Sequence, residues 1–190
     1  PQRIRQAYIL RDGIKPLSEQ NLSAAEVENI KNEIKFLTAY GWWQMAEAYG
    51  GIPFKPDYIA PTDFTLSDLM IGQSKFDDVV DYCDKQMLEA ANALPAVYED
   101  PSKYGRINKI MALTVRARML LFAASPLTNG NDWYKDYKNV DGENIFNPTY
   151  DPQKWVKAAE ACKLCIDEAE KAGYELYKEY NDDGTIDPFM

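Results

Sequence analysis

The stretch that decides the fold is GRINKIMALTVRARMLLFAASP, residues 105–126. From Ile107 to Ser125 it is largely apolar, with Lys109, Arg116 and Arg118 set into it. Three charges, two of them central, argue against a membrane span, because each Lys or Arg near a bilayer centre costs about 2.5–3.5 kcal/mol on insertion scales. Arg116 and Arg118 fall about 200° apart on a helix, so they share no polar face. Apolar residues fill the arcs between them. A helix that is apolar nearly all round packs on at least two sides. The stretch therefore predicts a central helix of a soluble helical stack. Arg116 and Arg118 are expected to pair with carboxylates or helix C-termini, since an unpaired buried charge is costly.

The rest of the chain fits around such a helix. It has 190 residues, 46% hydrophobic and 27% charged, the composition of a soluble globular protein. The net charge is -9 with no basic tract, which argues against nucleic acid as a partner. There is no His, which removes His-based acid–base chemistry, Ser-His-Asp and Cys-His nucleophiles, and His metal ligands. Aromatic residues reach 13%, with 13 Tyr and 4 Trp, a hint towards carbohydrate or peptide binding beside ordinary packing. Cys162 and Cys165 form a C-x-x-C in mid-helix. A redox pair sits at a helix start, and a Zn site needs more ligands, so both are read as small buried residues. The opening PQRIRQAYIL has no initiator Met and no apolar signal core, so a targeting segment would lie outside it. The chain is read as an internal piece of a longer protein.

Helices are predicted over 23–49, 74–94, 107–125 and 152–172, with RIRQAYIL the tail of an earlier one. In the first, Ser23 and Glu26 form a capping box. Ile30, Ile34, Leu37 and Met45 make one apolar stripe, and Phe36, Tyr40 and Trp43 a second. Gly50, Gly51 and Pro53 end it. The second is capped by Ser74 and Asp77 and buries one broad stripe that includes Phe76, Cys83 and Met87. The fourth has Asp151 as cap and Pro152 at the first position. There Trp155, Ala158, Ala159, Cys162, Cys165, Ile166 and Ala169 face inward. No strand-like alternation persists. The class is all-α, with tetratricopeptide-like stacked helix pairs and long loops, although the 34-residue period is not clean.

The longest loop, 126–150, carries Trp133, Tyr134, Tyr137, Phe146 and Tyr150 beside Asn129, Asn131 and Asp132. A structureless loop of this length is often functional. Rings cover the apolar face of a pyranose while amide and carboxylate groups bond its hydroxyls. Trp133, Tyr134, Tyr137 and Asn131 are the candidate ligand residues. The competing reading has the rings pinning the loop to the helices. The segment 51–64, with Phe54, Tyr58 and Phe64, reads first as a rigid connector. Asp132, Asp136, Asp141 and Glu143 miss the EF-hand spacing, so a loop-bound Ca²⁺ has weak support and no cofactor is expected. No phosphate-binding or nucleophile-elbow motif occurs, and no carboxylate pair stands out as a glycosidase couple.

Three ordered blocks together resemble the SusD/RagB family of surface nutrient-binding lipoproteins of Bacteroidetes. The first block is carried by Glu33, Phe36, Leu37, Ala39, Tyr49, Gly50, Gly51 and Pro53. The second is carried by Gly105, Arg106, Lys109, Ala112, Arg116 or Arg118, Leu121, and the run from Ala123 through Leu127 to Asn129 and Gly130. The third is carried by Trp155, Ala158, Ala159, Ala161, Ile166, Asp167 and Ala169. These matches span most of residues 26–177. Thr38, Gly41, Trp42, Trp43, Asn108 and Ile110 depart from the pattern without disturbing its spacing.

The resemblance implies a SusD-like α-α superhelix, with 1–190 part of a single helical domain whose N- and C-terminal parts lie elsewhere. It implies non-catalytic capture of oligosaccharide or polysaccharide at the outer-membrane cell surface, from a lipid anchor outside this chain. It also implies delivery to a SusC-like TonB-dependent transporter. The alternative within the family is a peptide- or protein-binding component of a RagAB-type uptake system. An α-helical glycosidase is the third class.

Overall fold

The computed structural model describes residues 2–20, 22–61 and 63–186. It contains six α-helices and, among the described residues, no strand beyond isolated bridges. They are α1 Gln2–Gly13, α2 Ala24–Tyr49, the single turn α3 Leu66–Leu69, α4 Phe76–Ala93, α5 Lys109–Ala124 and α6 Gln153–Lys171. Their packing follows chain order: α1 on α2, α2 on α4, α4 on α5, α5 on α6. Among the described residues, no helix is long and apolar enough to cross a membrane.

α5 is the central helix that its sequence predicts. Asn108 caps it, its side chain accepting the Met111 N–H at 2.9 Å. Ala112, Leu113, Met119, Leu120, Ala123 and Ala124 are all buried, on faces that meet both α4 and α6. The alanines among them let the backbones approach closely. Arg116 is buried and its Nε donates to Asp84 Oδ1 of α4 at 2.6 Å. Lys157 of α6 reaches the other Asp84 oxygen at 2.9 Å. One carboxylate thus ties three helices together. Arg118 behaves otherwise: it is exposed and makes no ion pair among the described residues.

The core is an aromatic and small-residue cluster. Trp43 of α2 meets Phe76 and Phe122 edge-on, at 6.1 and 5.4 Å between ring centres. Such pairs add about 0.5–1.5 kcal/mol to the area they bury. The Cys83 thiol lies in this core and donates to the Ala39 carbonyl at 3.2 Å. Burial pushes its pKa up to about 12. On the other side of α2, the Trp42 indole N–H donates to the Tyr8 hydroxyl at 3.1 Å and fastens α1.

Several local expectations are corrected. The Ser23 hydroxyl accepts the Glu26 N–H at 3.1 Å, but the Glu26 carboxylate does not return to the cap. It bonds Lys103 at 3.0 Å and Arg106 at 2.5 Å instead, because a cation offers it more than a backbone amide. Ser74 does not cap α4: its hydroxyl donates to the Ile52 carbonyl, and Lys75 occupies the cap position. The orphan N–H of Phe76 is taken by the Ile145 carbonyl of the long loop at 2.9 Å. The Asp151 side chain accepts the Gln153 N–H at 2.9 Å, one residue outside the helix boundary.

Leu37, expected inside, is exposed, as are Trp155, Ala159 and Ile166. α6 has a helical neighbour on one side only, α5, which selects the face of Ala158 and Ala161. Cys162 and Cys165 are half-buried thiols on the flank of that face, not the buried pair that the sequence suggested.

Candidate ligand-binding site

Loop 126–150 is not structureless. Its two ends are clasped by Asn129, whose side chain donates to the Asp151 carbonyl and accepts the Asp151 N–H, each at 2.8 Å. Gly130 has φ +73°, and a Cβ there would stand 2.7 Å from the Tyr150 backbone. Only glycine allows that approach. Between the ends lie a 3₁₀ turn, Asp132–Tyr134, and a bridge between Lys138 and Asn144 around a turn at Asn139–Gly142. Ile145 and Phe146 are buried and anchor the loop to α2 and α4.

The four sequence candidates fall into different roles. Tyr134 stacks on Phe146 at 4.7 Å and is half-buried. Tyr137 lies 6.3 Å from the same ring, and its hydroxyl accepts from the Gln73 side chain at 3.0 Å. The Asn131 amide is spent on the loop: its Oδ1 accepts the Trp133 N–H and its Nδ2 donates to the Leu127 carbonyl, both at 3.0 Å. Trp133 is 89% exposed, and no described ring stacks on it. The pinning role therefore accounts for Tyr134, part of Tyr137, and Asn131. It does not account for Trp133.

Tyr134, Tyr137 and Phe146 form one wall of a cleft of about 190 Å³. The last turn of α2, with Glu47, Tyr49 and Gly50, forms the opposite wall, and Leu127 and Phe122 complete it. Tyr49 is 73% exposed at its lip. The Glu47 carboxylate is exposed and makes no ion pair among the described residues. Gly50, at φ +72°, lies against the Phe146 ring, so a side chain there would close the join. The cleft is thus a small aromatic shelf with one free carboxylate and Trp133 one residue from its wall. Its chemistry suits an apolar C–H surface bearing hydroxyls or a cation. Tyr49 and Glu47 escape a reading by loop because they sit at a helix end. Only their place before the Gly50–Gly51 stop hints at an exposed rim.

The loop acids do not gather. Glu143 pairs with Lys75 at 2.7 Å, and that ammonium, with the Asn139 amide, holds its pKa below the ordinary carboxylate value. Among the described residues, no three His, Cys, Asp or Glu side chains are placed to hold a metal ion.

With the fold and cleft in view, comparison with known proteins gives the class. Residues 2–121 match the SusD-like_3 family, described as "Starch-binding associating with outer membrane". The chain belongs to the SusD-like family. Among solved structures it is similar to a protein called BT4246, at 34% identity and TM-score 0.80 over 94% of this chain and 30% of that one. It also shares its fold with a SusD-like protein, BF3747 of Bacteroides fragilis, at 19% identity and TM-score 0.62 over 95% of this chain and 27% of that one. A third is a SusD-like carbohydrate binding protein, BF0978 of Bacteroides fragilis, at 17% identity and TM-score 0.60 over 87% and 25%. The chain spans less than a third of the length of each of these structures. No curated protein matches.

Proposed function

We propose that the complete protein captures an oligosaccharide at the outer-membrane cell surface, without catalysis and without a cofactor. It would be held there by a lipid anchor outside this chain and would pass its ligand to a SusC-like TonB-dependent transporter. The observation that carries this reading is the match of residues 2–121 to a family described as starch-binding and associated with the outer membrane. The exposed Trp133 beside an aromatic cleft supports it locally: an indole face next to further rings can cover the apolar C–H face of a sugar ring.

A peptide ligand is the second reading. It is favoured by the unpaired Glu47 carboxylate in the same cleft and by the net charge of -9, both of which suit a basic side chain. Affinity gel electrophoresis of the complete protein through a panel of polysaccharides separates the two. Retardation by a glycan supports capture of sugar, and retardation by none, with binding to a basic peptide, supports the alternative.

A further inference from the structure

At the other end of α5, about 24 Å from the loop at 1.5 Å per residue, lies a larger cleft of about 420 Å³. Two distant segments build it, residues 97–111 and 172–174, so that the sequence does not show it as one site. Tyr98, Tyr104, Arg106 and Asn108 come from the α4–α5 connection, Asn108 as the cap of α5, and Gly173 and Tyr174 follow the end of α6. Its polar groups are held from behind. Tyr98 receives the Asn29 amide at 3.0 Å and contacts Glu33 at 3.0 Å and the Ile107 carbonyl at 3.1 Å. Arg106 gives its Nε to Glu33 at 2.9 Å and its Nη1 to Glu26 at 2.5 Å. Asn108 donates to the Tyr174 hydroxyl at 3.1 Å while capping α5.

What remains unspent is a set of ligand-facing groups. The Arg106 Nη2 donates to no acceptor among the described residues, and the Tyr174 hydroxyl, having accepted from Asn108, keeps its proton to donate. Tyr104 is 69% exposed and Tyr174 44%. Two open rings, an apolar floor at Val97 and Met111, and fixed donors from Arg106 and Tyr174 match a pyranose, which offers C–H faces and vicinal hydroxyls together. Prior fixing of the donors lowers the ordering cost of binding. We propose that this Tyr98–Tyr104–Arg106–Tyr174 cleft is a second glycan contact, separate from the Trp133 shelf. It rests on the reading of the protein as a glycan binder.

The test is affinity gel electrophoresis of the complete protein, with Tyr104→Ala, Tyr174→Ala, Tyr104→Phe and Trp133→Ala beside it. The exposure of Tyr104 makes its alanine variant safe for folding, and a thermal melt checks this. With the polysaccharide that retards the parent, each of the first two variants is expected to bind about tenfold more weakly. Tyr104→Phe, which keeps the ring, should bind as the parent does, and Trp133→Ala should retain part of the retardation. Parental binding by both Tyr104→Ala and Tyr174→Ala would overturn the second contact and leave the glycan reading standing. Failure of every polysaccharide to retard the parent would overturn both, and retention of a peptide by this cleft would then replace them.

Discussion

Asp84 and Arg116 form a buried ion pair at 2.6 Å that joins α4 to α5, and Lys157 brings α6 to the same carboxylate at 2.9 Å. Removing Asp84 leaves the buried Arg116 guanidinium without its counter-charge, whereas removing Arg116 leaves Asp84 the Lys157 ammonium. Asp84→Leu is therefore expected to cost about 3–5 kcal/mol in urea denaturation, and Arg116→Met less. Asp84→Leu combined with Arg116→Met removes both charges and should cost clearly less than the sum of the single changes. Additive losses in that cycle would show that the two side chains act separately.

Gly130 and Gly142 both have positive φ, but only Gly130 faces another backbone, that of Tyr150. Gly142→Ala meets open space and should cost about 1 kcal/mol of conformational strain. Gly130→Ala adds a clash to that strain and should cost about 2–3 kcal/mol or release the loop from its clasp. Equal melting temperatures for the two variants would contradict the close approach.

Burial keeps the Cys83 thiol protonated, with its pKa pushed up to about 12, so thiolate is scarce at pH 8. Iodoacetamide at that pH should leave Cys83 untouched in the native protein and modify it in urea. Cys162 and Cys165 are half-buried and free, and should react first. Peptide mass spectrometry reads the order, and early labelling of Cys83 would place it outside the core.

Arg106, then Lys103, hold the Glu26 carboxyl below its ordinary value of 4.5. A depressed folded-state pKa gives stability that is fully present above the unfolded value. That stability is lost as pH falls through the folded one. The urea midpoint should therefore drop as pH is lowered below about 4.5, and Glu26→Gln should flatten that drop. An unchanged pH profile in the variant would remove the Glu26 bridge from the account of acid stability.

The helices were legible because their signals are local. The apolar run of α5, the charges within it, and the stop at Gly50–Gly51 each act within a few residues. The fate of the charges was not local. Arg116 is paired because α4 supplies Asp84 beside it, while Arg118 points to solvent and has no ion-pair partner among the described residues. For the same reason Trp155, Ala159 and Ile166 look like core in sequence and stand outside in the structure: which stripe of α6 is buried depends on where α5 lies. In the loop, composition marked the aromatic cluster but could not divide it. Phe146 claims Tyr134 and part of Tyr137, and local turns claim Asn131, leaving Trp133 exposed. The Tyr98–Arg106–Tyr174 cleft was invisible, since its walls are about 70 residues apart in the chain.

The most direct test of glycan capture is isothermal titration of the complete protein with an oligosaccharide from the polysaccharide that retards it. The same mixture is then analysed for released sugars. Saturable heat, weakened in Trp133→Ala, with the oligosaccharide recovered intact, is the result expected of a non-catalytic glycan-capture protein. Absence of heat with every glycan, alongside saturable binding of a basic peptide, would contradict it.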